Sequence, residues 1–435
     1  MTPALDTHQW SMRDLIRHQR IAHNSWKSRR FISRPLSPEW SSKFHPVMAI
    51  SSSRLVVAAG NSLFCYKFTP PKLPHSEAPR VVFERVVTFP NDARRDISGV
   101  AFEPDGEGLV LSFVHGALGR ISLPQSTTFS PRQRRSVRAP DLSYFRVQGH
   151  PIRSMSVIGK TIVTVDSVGL GSMYSLSDSN PPLTSSITVG GGSFPVTGWS
   201  TYLSMNSSAG FAVFGTSSKT PLVAHGITES GISPNPQAIL ALPGCTPETL
   251  HRAVYSITGA TPTFPCAHSS DQIVISGWYH GVICVHDLRL PSHSRSSHNG
   301  PVLSPVQMLH DPISLSSIYS LSSAGAHIAA GSARNNIVHL YDIRSPRAGW
   351  CIYLPQGQGQ AQWRSRSSPV YSCLLEGTRL WAATESRPFV VDFGEVHEGT
   401  FPPVSDRNVG MRRNTSGNVG WYTPVYEHSL WSNSM

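Results

Sequence analysis

The chain carries little charge. Of its 435 residues only 14% are Asp, Glu, Lys or Arg, too few to dress long solvent-exposed helices in ion pairs. Lysine is nearly missing: Lys27, Lys43, Lys67, Lys72, Lys160 and Lys219 are the whole set, so arginine carries most of the formal net charge of +11. Arginine's planar fork suits carboxylate and phosphate. The charge therefore admits an acidic partner or nucleic acid, but it selects neither. No apolar run reaches the roughly 18 residues of a transmembrane helix, so no membrane association is expected. The start, MTPALDTHQW, lacks the basic end and apolar core of a signal peptide. The expected location is cytoplasmic or nuclear.

Catalytic and metal signatures are missing as well. The cysteines are Cys65, Cys245, Cys266, Cys284, Cys351 and Cys373; none forms a C-x-x-C pair, and no histidine spacing completes a zinc pattern. They read as small buried hydrophobes. There is no Walker loop, no G-x-G-x-x-G opening a helix and no G-x-S-x-G elbow. Gly190–Gly192 lacks the lysine and following helix of a phosphate loop and reads as a turn. The 19 histidines and 26 acidic residues are scattered. The expectation is a protein with no catalytic residues, no metal site and no cofactor, hence not an enzyme.

What is abundant is turn chemistry: 34 Gly and 35 Pro, with 39% apolar residues. That balance suits an all-β chain with long loops. The clearest unit is His327–Arg344, HIAAGSARNNIVHLYDIR. Ile328–Ser332 reads as a strand, Ala333–Asn336 as a turn, and Ile337–Asp342 as a second strand with period-two alternation. Gln272–Arg289 has the same layout. Val100–Leu123 shows an earlier part of the unit, with a Pro104-Asp105-Gly106 turn. Weaker copies lie at Met48–Phe68, Val147–Leu176, Trp199–Ile227 and Tyr371–Phe393. Middle strands are expected at Val56, Leu111, Val163, Val213, Val274, Ala329 and Trp381.

The endings Tyr341-Asp342-Ile343-Arg344 and His286-Asp287-Leu288-Arg289 resemble the strand end of a WD repeat, the unit of a β-propeller blade. The spacing of roughly 50–60 residues exceeds the roughly 40–45 of the ordinary repeat, the excess falling in Ser-, Pro- and Gly-rich connections. The resemblance implies an all-β, seven-bladed WD-repeat-like β-propeller over residues 44–400, with a helix and linker over 1–33 and a tail over 401–435. Pro182–Ile227 is taken as the fourth blade and Arg34–Lys43 as a Pro/Ser linker. Gly149-His150 sits where the family has a Gly-His step, and His150 reads as a satisfied structural residue. Either Phe31-Ile32 or Trp421–Trp431 is expected to supply the last blade's outer strand.

Ser11–Arg30 is the best helix. Ser11 and Asp14 form a capping-box pattern, Met12, Leu15, Ala22 and Trp26 fall on one stripe, and Lys27, Arg29 and Arg30 suit the carbonyl end. Arg20–Lys27 resembles the linker helix that joins the F-box to the propeller in F-box/WD-repeat proteins. The stretch before Ser11 is shorter than an F-box, which is expected to be absent here unless it lies upstream.

The resemblance implies a protein-interaction module, in its sharper form a substrate receptor of a Skp1–cullin–F-box ubiquitin ligase with a Skp1-type adaptor. The alternative is a WD-repeat scaffold in a nuclear or RNA-linked complex, favoured by the basic loop Ser130–Ala139, SPRQRRSVRA. In that family the turns between second and third strands lie on the recognition face. Here they carry Trp278, Tyr279 and His280, Arg334 and Asn335, and Arg387; the connection before the last blade adds Trp363, Arg364 and Arg366. Aromatic and arginine anchors of this kind suit a protein or peptide ligand, acidic or phosphorylated.

Overall fold

Short runs of Val, Ile, Leu and Ala broken by Gly, Asn and Ser leave little room for helix, and strands dominate. The computed structural model describes residues 12–69, 79–89, 96–123, 136–138, 142–147, 149–176, 183–190, 196–206, 209–243, 252–261, 270–291, 294–296, 300–312, 314–345, 348–354, 368–394, 400–402, 404, 421–422 and 426–427. Among the described residues the α-helix is Met12–Ser28, and everything after it is strand and turn.

The strands form antiparallel four-stranded meanders that follow one another along the chain, the last completed by a strand from the N-terminal end. The opening meander is Val47–Ile50, Arg54–Ala59, Ser62–Thr69 and Arg80–Thr88. Next comes Ile97–Phe102, Gly108–Phe113, Ala117–Ser122 and Ser143–Val147, then Ile152–Ile158, Thr161–Asp166, Leu170–Ser175 and Leu183–Thr188. Thr197–Ser204, Phe211–Ser218, Leu222–Thr228 and Gly231–Leu240 follow. A short pairing of Ser217 and Ser218 with Ala253 and Arg252 joins them to Arg252–Gly259, Ile273–Trp278, Val282–Asp287 and Gln307–His310. The last two meanders begin at Ile318–Ala324 and Val370–Glu376.

Each meander's first strand packs beside the first strand of the next, and Val370–Glu376 packs beside Val47–Ile50. The sheets therefore stand around a ring, a propeller-like all-β arrangement. The core is divided accordingly, with a separate apolar cluster in each gap between sheets. The closing gap holds Leu55, Val57 and Tyr66 from one side and Trp381, Ala383 and Val390 from the other. Second strands are buried from end to end: Arg54–Ala59, Gly108–Phe113, Ile273–Trp278 and Arg379–Thr384 expose no residue. Covered on both faces, they need apolar side chains both ways, which explains their continuous rather than alternating hydrophobicity.

All the expected middle strands lie where the repeat places them. The hairpin of His327–Ser332 and Ile337–Asp342 turns through Asn335 and Asn336, both left-handed at φ 64° and 52°, a conformation asparagine tolerates better than most residues. The aspartates closing third strands organise local turns. Asp287 accepts from the Arg289 amide at 3.0 Å and its guanidinium at 2.8 Å, and Asp342 does the same with Arg344 at 3.0 and 2.9 Å.

Three boundaries change. Leu183–Thr188 pairs with Leu170–Ser175, so it is the outer strand of the preceding sheet and not the opening of the fourth. Ile32–Pro35 pairs antiparallel with Pro388–Asp392 and supplies the last sheet's outer strand. Trp421–Tyr422 and Tyr426–Glu427 instead extend the edge of Ala348–Tyr353. Beyond Pro35 the expected linker is strapped down: the amides of Leu36, Trp40 and Phe44 donate to the carbonyls of Pro388, Ser386 and Glu385 at 2.9, 2.8 and 3.0 Å. His150 is exposed, so it takes no part in a buried relay.

Candidate functional site at the mouth of the ring

The first strands of all meanders but the opening one share a defect. Their register slips at Ile97/Gly99, Ile152/Ser154, Gly198/Ser200, Val254/Ser256, Ile318/Ser320 and Val370/Ser372. A bulge inserts one unpaired residue and re-aims its side chain. The residues so placed are Ser98, Arg153, Trp199, Tyr255, Tyr319 and Tyr371.

Five of these side chains touch in series. The Arg153 guanidinium lies over the Trp199 ring at 5.5 Å. Trp199 meets Tyr255 edge-on at 5.0 Å, Tyr255 meets Tyr319 at 5.2 Å, and Tyr319 stacks on Tyr371 at 5.7 Å. Tyr371 then stacks on His45 at 4.4 Å, just before the first strand of the opening meander. The result is an aromatic collar, half-buried, with Arg153 and His45 exposed at its ends.

The residue after each bulge explains why the collar holds its shape. Ser200 Oγ donates to the Val254 carbonyl at 3.1 Å, Ser256 Oγ to Ile318 at 3.2 Å, and Ser320 Oγ to Val370 at 2.9 Å. Each hydroxyl ties one first strand to the next. Opposite these serines on the second strands stand Gly215, Gly277 and Gly331. A Cβ at Gly331 would lie 2.6 Å from the Val370 carbonyl oxygen, and one at Gly215 2.6 Å from that of Val254. Only glycine lets the strands approach this closely.

Burial raises the Tyr255 phenol above its ordinary range and pushes Tyr371 up to about 12. Both hydroxyls therefore keep their protons at neutral pH and can donate hydrogen bonds. Arg153 adds a cation. The collar offers flat apolar area, neutral donors and one exposed guanidinium.

The sequence-predicted residues divide. Tyr279 lies at the same end, 55% exposed and 6.2 Å from Tyr255. Arg334 and Asn335 are exposed on the neighbouring turn, and His280 is half-buried. Trp278 is not a ligand anchor: it is 1% exposed, packed with Phe211, Val254 and Val282, and its Nε1 donates to Ser276 Oγ at 3.0 Å. As the last residue of its strand it points into the gap between sheets. Arg387 is likewise 1% exposed, folded under the N-terminal strap and paired with Glu39 at 3.2 Å. Trp363, Arg364 and Arg366 lie outside the described residues. So does most of the basic loop, whose Ser136–Arg138 forms a short strand parallel to Arg80–Thr88.

Turn-by-turn reading missed Arg153, Trp199, Tyr255, Tyr319 and Tyr371. The signal was present: Ile-Arg-Ser at 152–154, Gly-Trp-Ser at 198–200, Val-Tyr-Ser at 254–256, Ile-Tyr-Ser at 318–320 and Val-Tyr-Ser at 370–372. Aligning the repeats on their first strands, rather than on turns, exposes it.

The helix lies at the other end. Trp26 packs on His327 at 3.9 Å, Phe393 at 4.8 Å and Trp350 at 5.9 Å. The side chains of Met12, Leu15 and Ala22 lie outside the described residues. A cleft of about 350 Å³ between the helix end and the adjacent sheet is lined by His23, Trp26, Lys27, Asp342, Arg344 and Trp350. Its Arg344 is already paired with Asp342 at 2.5 Å. No described helix is long and apolar enough to cross a membrane.

No protein-family model matches the sequence, and no curated protein matches it. Among solved structures, the crystal structure of Saccharomyces cerevisiae Sqt1 is similar at a TM-score of 0.47 and 14% identity, over 81% of this chain and 82% of that one.

Proposed function

We propose that this chain is a seven-bladed propeller of the WD-repeat type that acts as a non-catalytic protein-interaction module, gripping a partner's acidic segment across the collar. The observation that carries the reading is the unbroken series Arg153, Trp199, Tyr255, Tyr319 and Tyr371 at one mouth of the ring. Tyr, Trp and Arg are the residues on which binding energy concentrates. Here bulges in successive first strands aim them at one place, so they serve no strand pairing. The blade count is supported by the meanders and by the contacts closing the ring. The acidic preference follows from Arg153, the neighbouring Arg334 and the protonated phenols. A guanidinium and neutral hydroxyls all donate, and a carboxylate or phosphate accepts.

A narrower version, a substrate receptor with a Skp1-type adaptor, is favoured by one observation: a basic helix docks through Trp26 immediately before the closing strand.

The test is selection of a random peptide library, enriched in Asp, Glu and phosphoserine, on immobilised full-length protein. Tyr319→Ala and Arg153→Ala are each expected to weaken selected peptides by at least about thirtyfold, the scale of a hot-spot residue. Arg29→Ala, at the opposite end, is expected to leave binding unchanged. Equal binding by all variants removes the collar from the reading. If single-stranded RNA binds instead, and neutralising the arginines of residues 130–139 abolishes it, the RNA-linked scaffold takes precedence.

A further inference from the structure

We infer that Asp311, His339 and Cys351 form a buried binding site for a transition-metal ion of the zinc class. The site is independent of the collar and of the interaction reading.

Fold topology brings the three together. His339 and Cys351 are direct cross-strand neighbours on Ile337–Asp342 and Ala348–Tyr353. Asp311 comes from the preceding sheet, immediately after Gln307–His310. In sequence they are too far apart to form a local zinc pattern, which is why the spacing of histidines and cysteines gave no sign of them. All three are buried, at 6%, 1% and 1% exposure.

The donor atoms converge on one point. Cys351 Sγ lies 3.0 Å from His339 Nδ1, His339 Nδ1 lies 3.4 Å from Asp311 Oδ2, and Asp311 Oδ2 lies 3.7 Å from Cys351 Sγ. A tetrahedral zinc ion, with bonds of about 2.0–2.3 Å, sets its ligands about 3.3–3.7 Å apart. The triangle is close to one face of such a tetrahedron, leaving a fourth position for water.

Two other readings of a Cys–His–Asp group fit less well. A nucleophile relay places the thiol on one imidazole nitrogen and the carboxylate on the other. Here both face Nδ1, which aims them at a shared centre instead of along a chain. A plain packing role does not by itself account for three donor atoms of different chemistry meeting in the interior, where Cys351 shares an apolar cluster with Leu309 and Tyr341. A divalent ion bound by one thiolate, one carboxylate and one neutral imidazole makes the group electrically neutral. Thiolate and imidazole together favour zinc and its neighbours over magnesium or calcium.

The experiment is substitution with Co²⁺, whose thiolate bond gives a near-ultraviolet charge-transfer band and whose tetrahedral sites absorb in the visible. Chelator-treated full-length protein is titrated with Co²⁺ alone, in buffer and in sub-denaturing urea, because a buried site exchanges through local opening. One equivalent is expected to produce both signals, and Zn²⁺ to displace it. Cys351→Ser is expected to lose the charge-transfer band, and Asp311→Asn to lose the tetrahedral visible bands. Cys373→Ser, which removes a buried cysteine of the next sheet, is expected to keep both. X-ray absorption on the wild type alone should find one sulfur among the cobalt ligands, a readout that does not depend on any variant folding. Absence of cobalt–sulfur coordination in the folded wild type overturns the inference, as does a band that survives in Cys351→Ser.

Discussion

Single residues set the spacing of this ring more than its large side chains do. Gly331 sits where a methyl group would meet both Ser320 Oγ and the Val370 carbonyl, the latter at 2.6 Å. Gly331→Ala is therefore expected to cost about 1–3 kcal/mol through overpacking. Removing the serine hydroxyl in Gly331→Ala/Ser320→Ala should not restore the loss, because the carbonyl remains; thermal unfolding of both variants checks this. Asp392 is a second such point. It accepts from buried Arg379 Nε at 2.9 Å and from the Gly394 amide at 2.7 Å, and the Arg379 guanidinium lies over Phe401 at 5.1 Å. Asp392→Ala strands that guanidinium without its counter-charge, at an expected cost of about 3–5 kcal/mol in denaturant unfolding. Asp392 falls near the end of the weaker repeat copy Tyr371–Phe393, but nothing in the sequence marks its partner Arg379, thirteen residues away.

The element with the most conditional attachment is the helix. Its docking rests on Trp26 against His327, and His327 is held down to about 4, chiefly by burial, against the opposing pull of Asp342. His327 is therefore neutral at pH 7, and its 3.7 Å approach to Asp342 is not an ion pair there. Above about pH 6.5 both folded and unfolded states hold the ring neutral and stability is unaffected. Between about 6.5 and 4 the unfolded state takes up a proton that the folded state refuses, so stability falls as pH falls. Buried His286, also near 4, acts in the same direction over the same window. The expected outcome is a falling unfolding temperature from pH 6.5 to 4, with tryptic cleavage at Lys27 and Arg29 rising first. His327→Phe should delay that cleavage, and unchanged acid sensitivity in this variant would assign the effect to the other buried histidines, His286 and His225 among them. Trp26→Ala is expected to cost about 2–3 kcal/mol, below the range for a fully buried tryptophan because the ring is half-buried.

At the scale of the molecule, closure depends on Ile32–Pro35 covering Pro388–Asp392. The strap that follows carries Leu36 into the gap where the first and last meanders meet. Two truncations separate the helix from the closing strand. Removing residues 1–29 is expected to cost about as much as losing the Trp26 contact. Removing residues 1–36 also uncovers an unpaired strand edge and opens one intersheet gap. It should lower the unfolding temperature further and promote aggregation, since open edges template pairing between chains. Equal stability of the two truncations would mean that the ring closes without its N-terminal strand.

Much of this architecture is carried by the sequence alone, because its causes are local. Period-two strands, Pro-Asp-Gly and Asn-Asn turns, and the Asp-x-Arg endings each act over a few residues, and they located every second strand. Assignments that depend on distant partners were decided only by the tertiary structure. Trp278 and Arg387 stand in turns by sequence, yet neighbouring sheets and the N-terminal strap bury them. Which terminal segment closes the last sheet depended on competing pairings that propensity cannot rank. The collar and the Asp311–His339–Cys351 cluster draw on residues from different sheets, and only closing the ring brings such positions within contact distance.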